Sequence, residues 1–302
     1  MNPLLQILGA TGVGKSRVAC ALARQFNAEI ISADSVQVYQ GFDIGTDKIT
    51  ARGRREIPHH LIDIIHDGSQ FNASKFLDLA FRAAEDIRNR GKIPLVCGGT
   101  ALYLRVMMQG IFAEKKNEAT RGQLEEKAAS SGWQVLWQEL LALDPVYAQK
   151  IGPHDHVRLV RALEIQHHCG MPPSAAFKQS RSPFAAYHFI RIGLELERKE
   201  LYRRIDRRAE LMLENGLLDE VRELLKRYPP TCPAFNALGY KEIVAHLRGE
   251  TDRATALESM QRHSRQFAKR QLSWFRQEKD IHWFAPENMA GITAFISQCL
   301  AK

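Results

Sequence analysis

The five cysteines of this 302-residue chain, Cys20, Cys97, Cys169, Cys232 and Cys299, are scattered, and no two of them stand as C-x-x-C. Neither a zinc site nor a disulfide is expected from that spacing; reduced thiols are. No run approaches the ~18 apolar residues a membrane span needs, so no membrane partner is expected. No basic segment precedes the first apolar run, so a secretory leader is not expected and a cytoplasmic setting is. Internal repeats and low-complexity tracts are lacking, which excludes repeat arrays. Acidic residues are outnumbered, 34 Asp and Glu against 42 Lys and Arg, for a formal charge of +8. That balance permits a polyanionic partner without requiring one. The remainder, 45% hydrophobic and 25% charged over a length suited to about two domains, is an ordinary globular composition.

The most specific stretch is Gly9, Ala10, Thr11, Gly12, Val13, Gly14, Lys15 and Ser16, which fits G-x-x-x-x-G-K-[ST], the P-loop. A short apolar run, residues 4–8, precedes it, and Val18, Leu22 and Phe26 follow at helical spacing. The motif thus has the strand, loop and helix it requires. Glycines let backbone N–H groups turn inward onto phosphate oxygens, and the helix adds its positive end. Lys15 would neutralise a terminal phosphate, and Ser16 would hold Mg²⁺ through its hydroxyl. This predicts a bound di- or triphosphate and leaves open which one.

Residues 28–32 (AEIIS) predict a second buried strand, and the strand–helix–strand succession argues a parallel α/β sheet. Asp34 follows at the carboxyl end, where functional residues of parallel sheets gather, and could be a metal ligand, a base or a simple helix cap. His59 and His60 are adjacent, and neighbours in sequence do not face one site, so they argue against a metal. A helix over 72–90 leads to a third strand, 93–97, ending in Gly98-Gly99-Thr100. A glycine turn opening a helix at Thr100 suits a cap or an anion. No Asp or Glu ends that strand, which counts against an ordinary ATPase.

Beyond Gly110 the charged run 114–118 reads as a linker into short amphipathic helices near 121–131, 133–143 and 156–168. We read an inserted all-helical domain over 112–187, within an α/β P-loop core of 1–111 and 188–302 whose parallel sheet is flanked by helices. Residues 188–194 predict a returning strand. The helix over 200–214 carries two cationic faces, Arg204 with Arg208 and Arg203 with Arg207, either able to clamp a diphosphate. On the helix over 254–275, Arg262, Arg265, Lys269 and Arg276 fall on one ridge, with Phe267, Ala268, Leu272, Trp274 and Phe275 opposite, a form suited to a phosphate backbone.

Taken together, the chain resembles the tRNA dimethylallyltransferases (tRNA isopentenyltransferases), of bacterial type since no zinc finger follows. The resemblance rests on GATGVGKS, on SADSVQVYQGFDIGTDK (32–48), HHLID (59–63) and GGTALY (98–103), and on HDHVRLVRALEI (154–165), YRRIDRRAELML (202–213), LGYKE (238–242) and SRQFAKRQLSWFR (264–276). It implies transfer of a dimethylallyl group from dimethylallyl diphosphate to N6 of adenosine 37 in tRNAs reading codons that begin with U. It implies Mg²⁺ as cofactor, Asp34 as base, and Thr100 and Lys15 beside the leaving group, with Arg204 and Arg208 on the diphosphate. It places the tRNA anticodon stem-loop against Asp34, Ser35, Val36, Gln37 and Thr100, against Arg121 and the run Val157, Arg158, Leu159, Val160 and Arg161, and against Lys241, Arg265 and Lys269. A monomer is expected. Where the family usually has a proline-rich, acidic stretch, this chain has FAEKKNEAT (112–120). The rival reading is a P-loop small-molecule or nucleotide kinase with a helical lid, which the phosphate loop and the insertion also fit.

Overall fold

The computed structural model describes residues 2–112 and 117–301. Residues 114–116 of the charged linker lie outside the described residues. The chain divides into two compact units, 1–105 with 186–302, and 106–185. The composition shift suggested 111/112 and 187/188 for the same boundaries.

The first unit is built on β1 (Asn2–Gly9), whose Leu4, Leu5, Ile7 and Leu8 are fully buried. A parallel strand covered on both faces reads as a continuous apolar run. Each such side chain contributes roughly 1.5–3 kcal/mol of burial. After β1 come α1 (Lys15–Gln25), β2 (Ala28–Ala33), α2 (Ala51–Glu56), β3 (His59–His60), α3 (Ala73–Asn89), β4 (Ile93–Gly98) and α4 (Ala101–Gln109). Val18, Ala19 and Leu22 of α1 pack on Leu5, Ile7, Ile30 and Leu95 of the sheet. Asn72 caps α3 by accepting from the Lys75 N–H at 2.9 Å, a bond worth about 1 kcal/mol.

The second unit is helical: α5 (Glu118–Ser131), α6 (Trp133–Leu143), α7 (Pro145–Ile151), α8 (His156–Cys169) and α9 (Pro173–Lys178). Its core joins Leu124, Leu136, Leu140, Leu159, Val160 and Leu163. Asp144 ties two of these helices, accepting from the N–H of Tyr147 at 3.0 Å and of Ser174 at 2.7 Å. Helices α7 and α9 were not read from the sequence. Both begin at a proline, which punctuates the pattern yet suits a first helical turn.

The first unit resumes with β5 (Tyr187–Leu194), α10 (Arg198–Glu214), α11 (Leu217–Arg227), α12 (Tyr240–Leu247), α13 (Arg253–Phe275), β6 (His282–Phe284) and α14 (Met289–Leu300). All strand pairings are parallel, and the sheet runs β3-β2-β4-β1-β5-β6. Register sets Ala33 beside Gly98, and Leu8 beside both Gly98 and Gly193. The carboxyl ends of β1, β2 and β4 therefore open side by side, and the segments after Gly9, Ala33 and Gly98 share one edge. Glu29 sits in β2 at 1% side-chain exposure and is answered by Arg90, by Lys92 at 2.8 Å and by His60 at 2.8 Å. The Arg90 guanidinium holds its carboxyl far below the usual carboxylate range. The cluster pins β2 to β3, to the end of α3 and to the start of β4.

Candidate active site

The P-loop turns between β1 and α1, and Gly14 takes φ +96°, a left-handed conformation that favours glycine, to open the helix. Thr11, Gly12, Gly14, Lys15 and Ser16 line a cavity of about 320 Å³. Gly9, Ala10 and Val13 do not line it, and all three are buried. Lys15 Nζ donates to the carbonyls of Gly9 at 3.0 Å and Ala10 at 2.8 Å. Burial draws its pKa down to about 8, and Arg208 pushes the same way. Ser16 is exposed at the first turn of α1.

Asp34 follows β2 and lines the same cavity. Its Oδ1 accepts from the N–H of Val36 at 2.8 Å and of Gln37 at 3.2 Å. Its Oδ2 has no partner among the described residues. The cap and the free carboxylate oxygen thus coexist in one side chain, and the alternatives open at the sequence level do not exclude each other. Gln37 is held by Ser32 Oγ, which donates to its Oε1 at 3.0 Å, and donates from Nε2 to the Thr46 carbonyl at 3.2 Å.

A second cavity of about 390 Å³ shares Thr11, Asp34, Thr46, Gly99, Arg208 and Gln271 with the first. Ser35, Val36, Thr100 and Lys241 line it, with the apolar Met212, Leu238 and Met260. Thr100 stands at the start of α4, and its N–H donates to the Ala33 carbonyl at 3.3 Å. Of the two cationic faces of α10, Arg204 and Arg208 line the first cavity. Arg208 donates to Thr11 Oγ1 at 2.6 Å and lies 3.6 Å from Asp47. Arg204 is held by Glu200 at 2.7 Å and Glu287 at 3.0 Å. Arg203 and Arg207 face away, paired with Glu200, Glu210 and Glu214.

The ridge read on α13 is narrower than the helical wheel drew it. Arg265 is turned onto Asp206 of α10 at 2.5 Å, because α10 packs along α13 and brings a carboxylate to it. Arg276 lies 3.7 Å from Glu195, whereas Lys269 is exposed with no ion-pair partner among the described residues. Phe267, read as core, lines both cavities, and Trp274 is half-buried with the Arg105 guanidinium 4.0 Å above its ring. In the helical unit, Leu159 and Val160 are core residues on the inner face of α8 and cannot present side chains to a partner. On the same helix Val157 is 72% exposed and Arg158 is exposed. Arg161 is 27% exposed and 3.3 Å from Glu164, and Arg121 pairs with Glu125 at 2.8 Å.

His59 lines the first cavity and bonds the Ile57 carbonyl at 2.7 Å, while His60 turns to Glu29, so the two do not share a site. Cys97 is the last residue but one of β4, near where a second carboxylate would stand in many phosphate-loop proteins, and burial pushes its thiol up to about 12. Among the described residues no three His, Cys, Asp or Glu gather as a metal cage. Ser16 and Asp34 nonetheless put hard oxygen donors on the first cavity, the donor type Mg²⁺ takes when phosphate oxygens and water complete its shell.

Two contributors escaped sequence reading. Gln271 of α13 reaches the P-loop, and Glu220 of α11 accepts from the N–H groups of Asp43 at 3.2 Å, Ile44 at 2.7 Å and Gly45 at 3.3 Å. Gln271 had a signal, a polar residue in the buried stripe of Ala268 and Phe275. Glu220 had none, being one of three acids on an amphipathic helix.

An IPP transferase family model matches residues 37–278. A tRNA dimethylallyltransferase of Halothermothrix orenii is 41% identical over 286 residues, 94% of this chain and 87% of that protein. The crystal structure of the full-length tRNA isopentenylpyrophosphate transferase of Bacillus halodurans superposes with a TM-score of 0.74 at 38% identity, covering 99% of this chain and 96% of that one. A eukaryotic dimethylallyltransferase acting on tRNA superposes with a TM-score of 0.80 at 30% identity, over 99% of this chain and 78% of that one. With the family model spanning most of its length and a relative of this identity matched nearly end to end, the chain belongs to the IPP transferase family.

Proposed function

We propose that this protein transfers the dimethylallyl group of dimethylallyl diphosphate to N6 of adenosine 37 in tRNAs reading codons that begin with U, releasing diphosphate. The observation that carries the reading is Asp34, whose side chain borders both the phosphate-loop cavity and the second cavity. A diphosphate held by the loop, Lys15, Arg204 and Arg208 faces a base entering through the second cavity, extruded from the anticodon loop. The C1–O bond breaks as the N6–C1 bond forms, and the electron pair of C–O leaves with the diphosphate. Charge gathers on the leaving oxygens, where Lys15 and the arginines lie. N6 then carries a surplus proton, which passes to Asp34 Oδ2. Thr100 lies beside Asp34 on the second cavity and orients the reacting groups. Ser16, with phosphate oxygens, would hold Mg²⁺, which supplies further neutralisation of the leaving group when bound.

Ser35, Val36, Gln37, Lys241 and Lys269 of the catalytic unit, and Arg121, Val157, Arg158 and Arg161 of the helical unit, grip the anticodon stem-loop. Single-stranded loops are where sequence is usually read in RNA. No helix among the described residues is long and apolar enough to cross a membrane, and we assign the protein to the cytoplasm, acting as a monomer.

The test follows label from dimethylallyl diphosphate into an unmodified tRNA transcript with adenosines at 36 and 37. A parallel reaction holds ATP with nucleotide and hydroxyl acceptors. Asp34→Asn is the informative variant, since an amide oxygen can still cap Val36 and Gln37 but takes no proton. Loss of about 10²-fold or more in transfer, with diphosphate-substrate affinity retained, is expected. Phosphate moved from ATP, with no label in tRNA, would make the protein a lidded kinase.

A further inference from the structure

The P-loop is braced from the far end of the chain. Gln271 Oε1 accepts the Thr11 N–H at 2.8 Å, and its Nε2 donates to the Gly99 carbonyl at 2.7 Å. The side chain is 5% exposed, and its helix is locked on either side by the fully buried Ala268 and Phe275. A side-chain amide has both an acceptor and a donor in fixed relation, so this one residue satisfies an N–H on one turn and a C=O on the other. The opposite amide orientation would oppose donor to donor and acceptor to acceptor. Gly99 is shaped for the contact, since a Cβ there would stand 2.4 Å from Nε2. Thr11 is held twice, its hydroxyl by Arg208 at 2.6 Å and its amide by Gln271. Thr11 belongs to the P-loop motif that is expected to bind phosphate. Its N–H is instead committed to the protein, as is that of Val13, which donates to the Ala10 carbonyl at 3.4 Å, and the amides of Gly12, Gly14, Lys15 and Ser16 remain for a ligand.

From this geometry we propose that Gln271 is a positioning residue that holds the phosphate loop and the β4–α4 turn in register across the bound diphosphate. Both turns are then set before substrate arrives, and the N–H groups and Thr100 need no reorganisation as charge develops. Gln271 lies on the same helix as Lys269 and Arg270, so the brace also ties the phosphate loop to the helix carrying the exposed cations. The inference rests on the transferase reading for its kinetic consequence, but not for its binding consequence.

The test uses the full-length protein with Gln271→Met, which keeps the packing volume and removes both hydrogen bonds. Calorimetric affinity for inorganic diphosphate should fall about tenfold. Transfer kcat/KM for dimethylallyl diphosphate should fall by at least as much, with tRNA affinity within twofold of wild type and the Tm within a few degrees. Gly99→Ala, which evicts the amide, should give the same profile independently. The double variant should lose no more than the worse single one, because both changes break one contact. Wild-type diphosphate affinity in Gln271→Met, losses that multiply in the double variant, or equal losses in tRNA affinity and Tm would each overturn the proposal. A wild-type protein that transfers nothing to tRNA, yet whose diphosphate affinity falls in Gln271→Met, would sink the transferase reading and leave the brace standing.

Discussion

Withdrawn from water behind the phosphate loop, Lys15 holds its proton less firmly than an ordinary lysine, with a pKa of about 8. In the absence of ligand its ammonium is satisfied by two loop carbonyls, and an arriving diphosphate offers a stronger partner. The charged form binds the substrate and the neutral form does not, so binding takes up a proton above pH 8. The kcat/KM for dimethylallyl diphosphate, which reports the free enzyme, should therefore fall tenfold per unit above about pH 8. Lys15→Arg, unable to deprotonate, should be flat there, though weaker overall. The sign for stability is opposite: the folded state binds fewer protons than the unfolded chain between about 8 and 10.4, so this group adds stability as pH rises through that window. A kcat/KM profile level from pH 7 to 10 would contradict it. Lys15 was legible because its spacing from two glycines is a motif. Gln271 was half-legible, as a polar residue in an apolar stripe. Arg265 was misplaced on the open ridge because a helical wheel shows only one helix, and Asp206 belongs to another.

Elements differ in how plainly they announce themselves. Strands β1, β2, β4 and β5 are long enough for an apolar run to stand out, while β3 and β6 have two and three residues and owe their pairing to the neighbouring strand. Their shortness is also what keeps both edges of the sheet unattractive to other chains. What orders the segment between β2 and α2 lies far away in sequence. Glu220 collects three of its N–H groups and the Tyr240 hydroxyl at 2.7 Å, and burial with that carboxylate drives the Tyr240 hydroxyl well above the usual phenol range. The loop so held carries Thr46 and Asp47 into the first cavity. Glu220→Ala should therefore lower stability by about 1–3 kcal/mol, from amides left without a partner. It should also reduce kcat/KM for the diphosphate substrate about tenfold, as Asp47 and Thr46 lose their places. Thermal unfolding and transfer kinetics together check this. A stability loss with unchanged kinetics would mean that the loop is set by Gln37 and Lys48 instead.

Across the whole molecule the excess of positive charge is distributed by elimination. Many arginines are answered internally: Arg90 by Glu29, Arg54 by Asp63, Arg203 by Glu200 and Arg265 by Asp206. A formal +8 is therefore concentrated on the cations left over, and Lys269 is exposed among them. Composition could reveal the excess but not its address, because pairing between elements distant in sequence decides it. If the leftover cations grip the backbone of tRNA, each neutralised phosphate contributes about −0.7 to −0.9 to the slope of log K against log salt. Four such contacts imply a slope of about −3, or roughly a 60-fold loss of affinity from 50 to 200 mM salt. Lys269→Ala should make that slope shallower by about one, whereas Arg265→Ala, whose charge is spent on Asp206, should leave it unchanged while lowering stability. Binding isotherms at four or five salt concentrations distinguish the two. Equal slopes in Lys269→Ala and wild type would move the tRNA off α13, and a shallower slope in Arg265→Ala would restore the full ridge that the helical wheel drew.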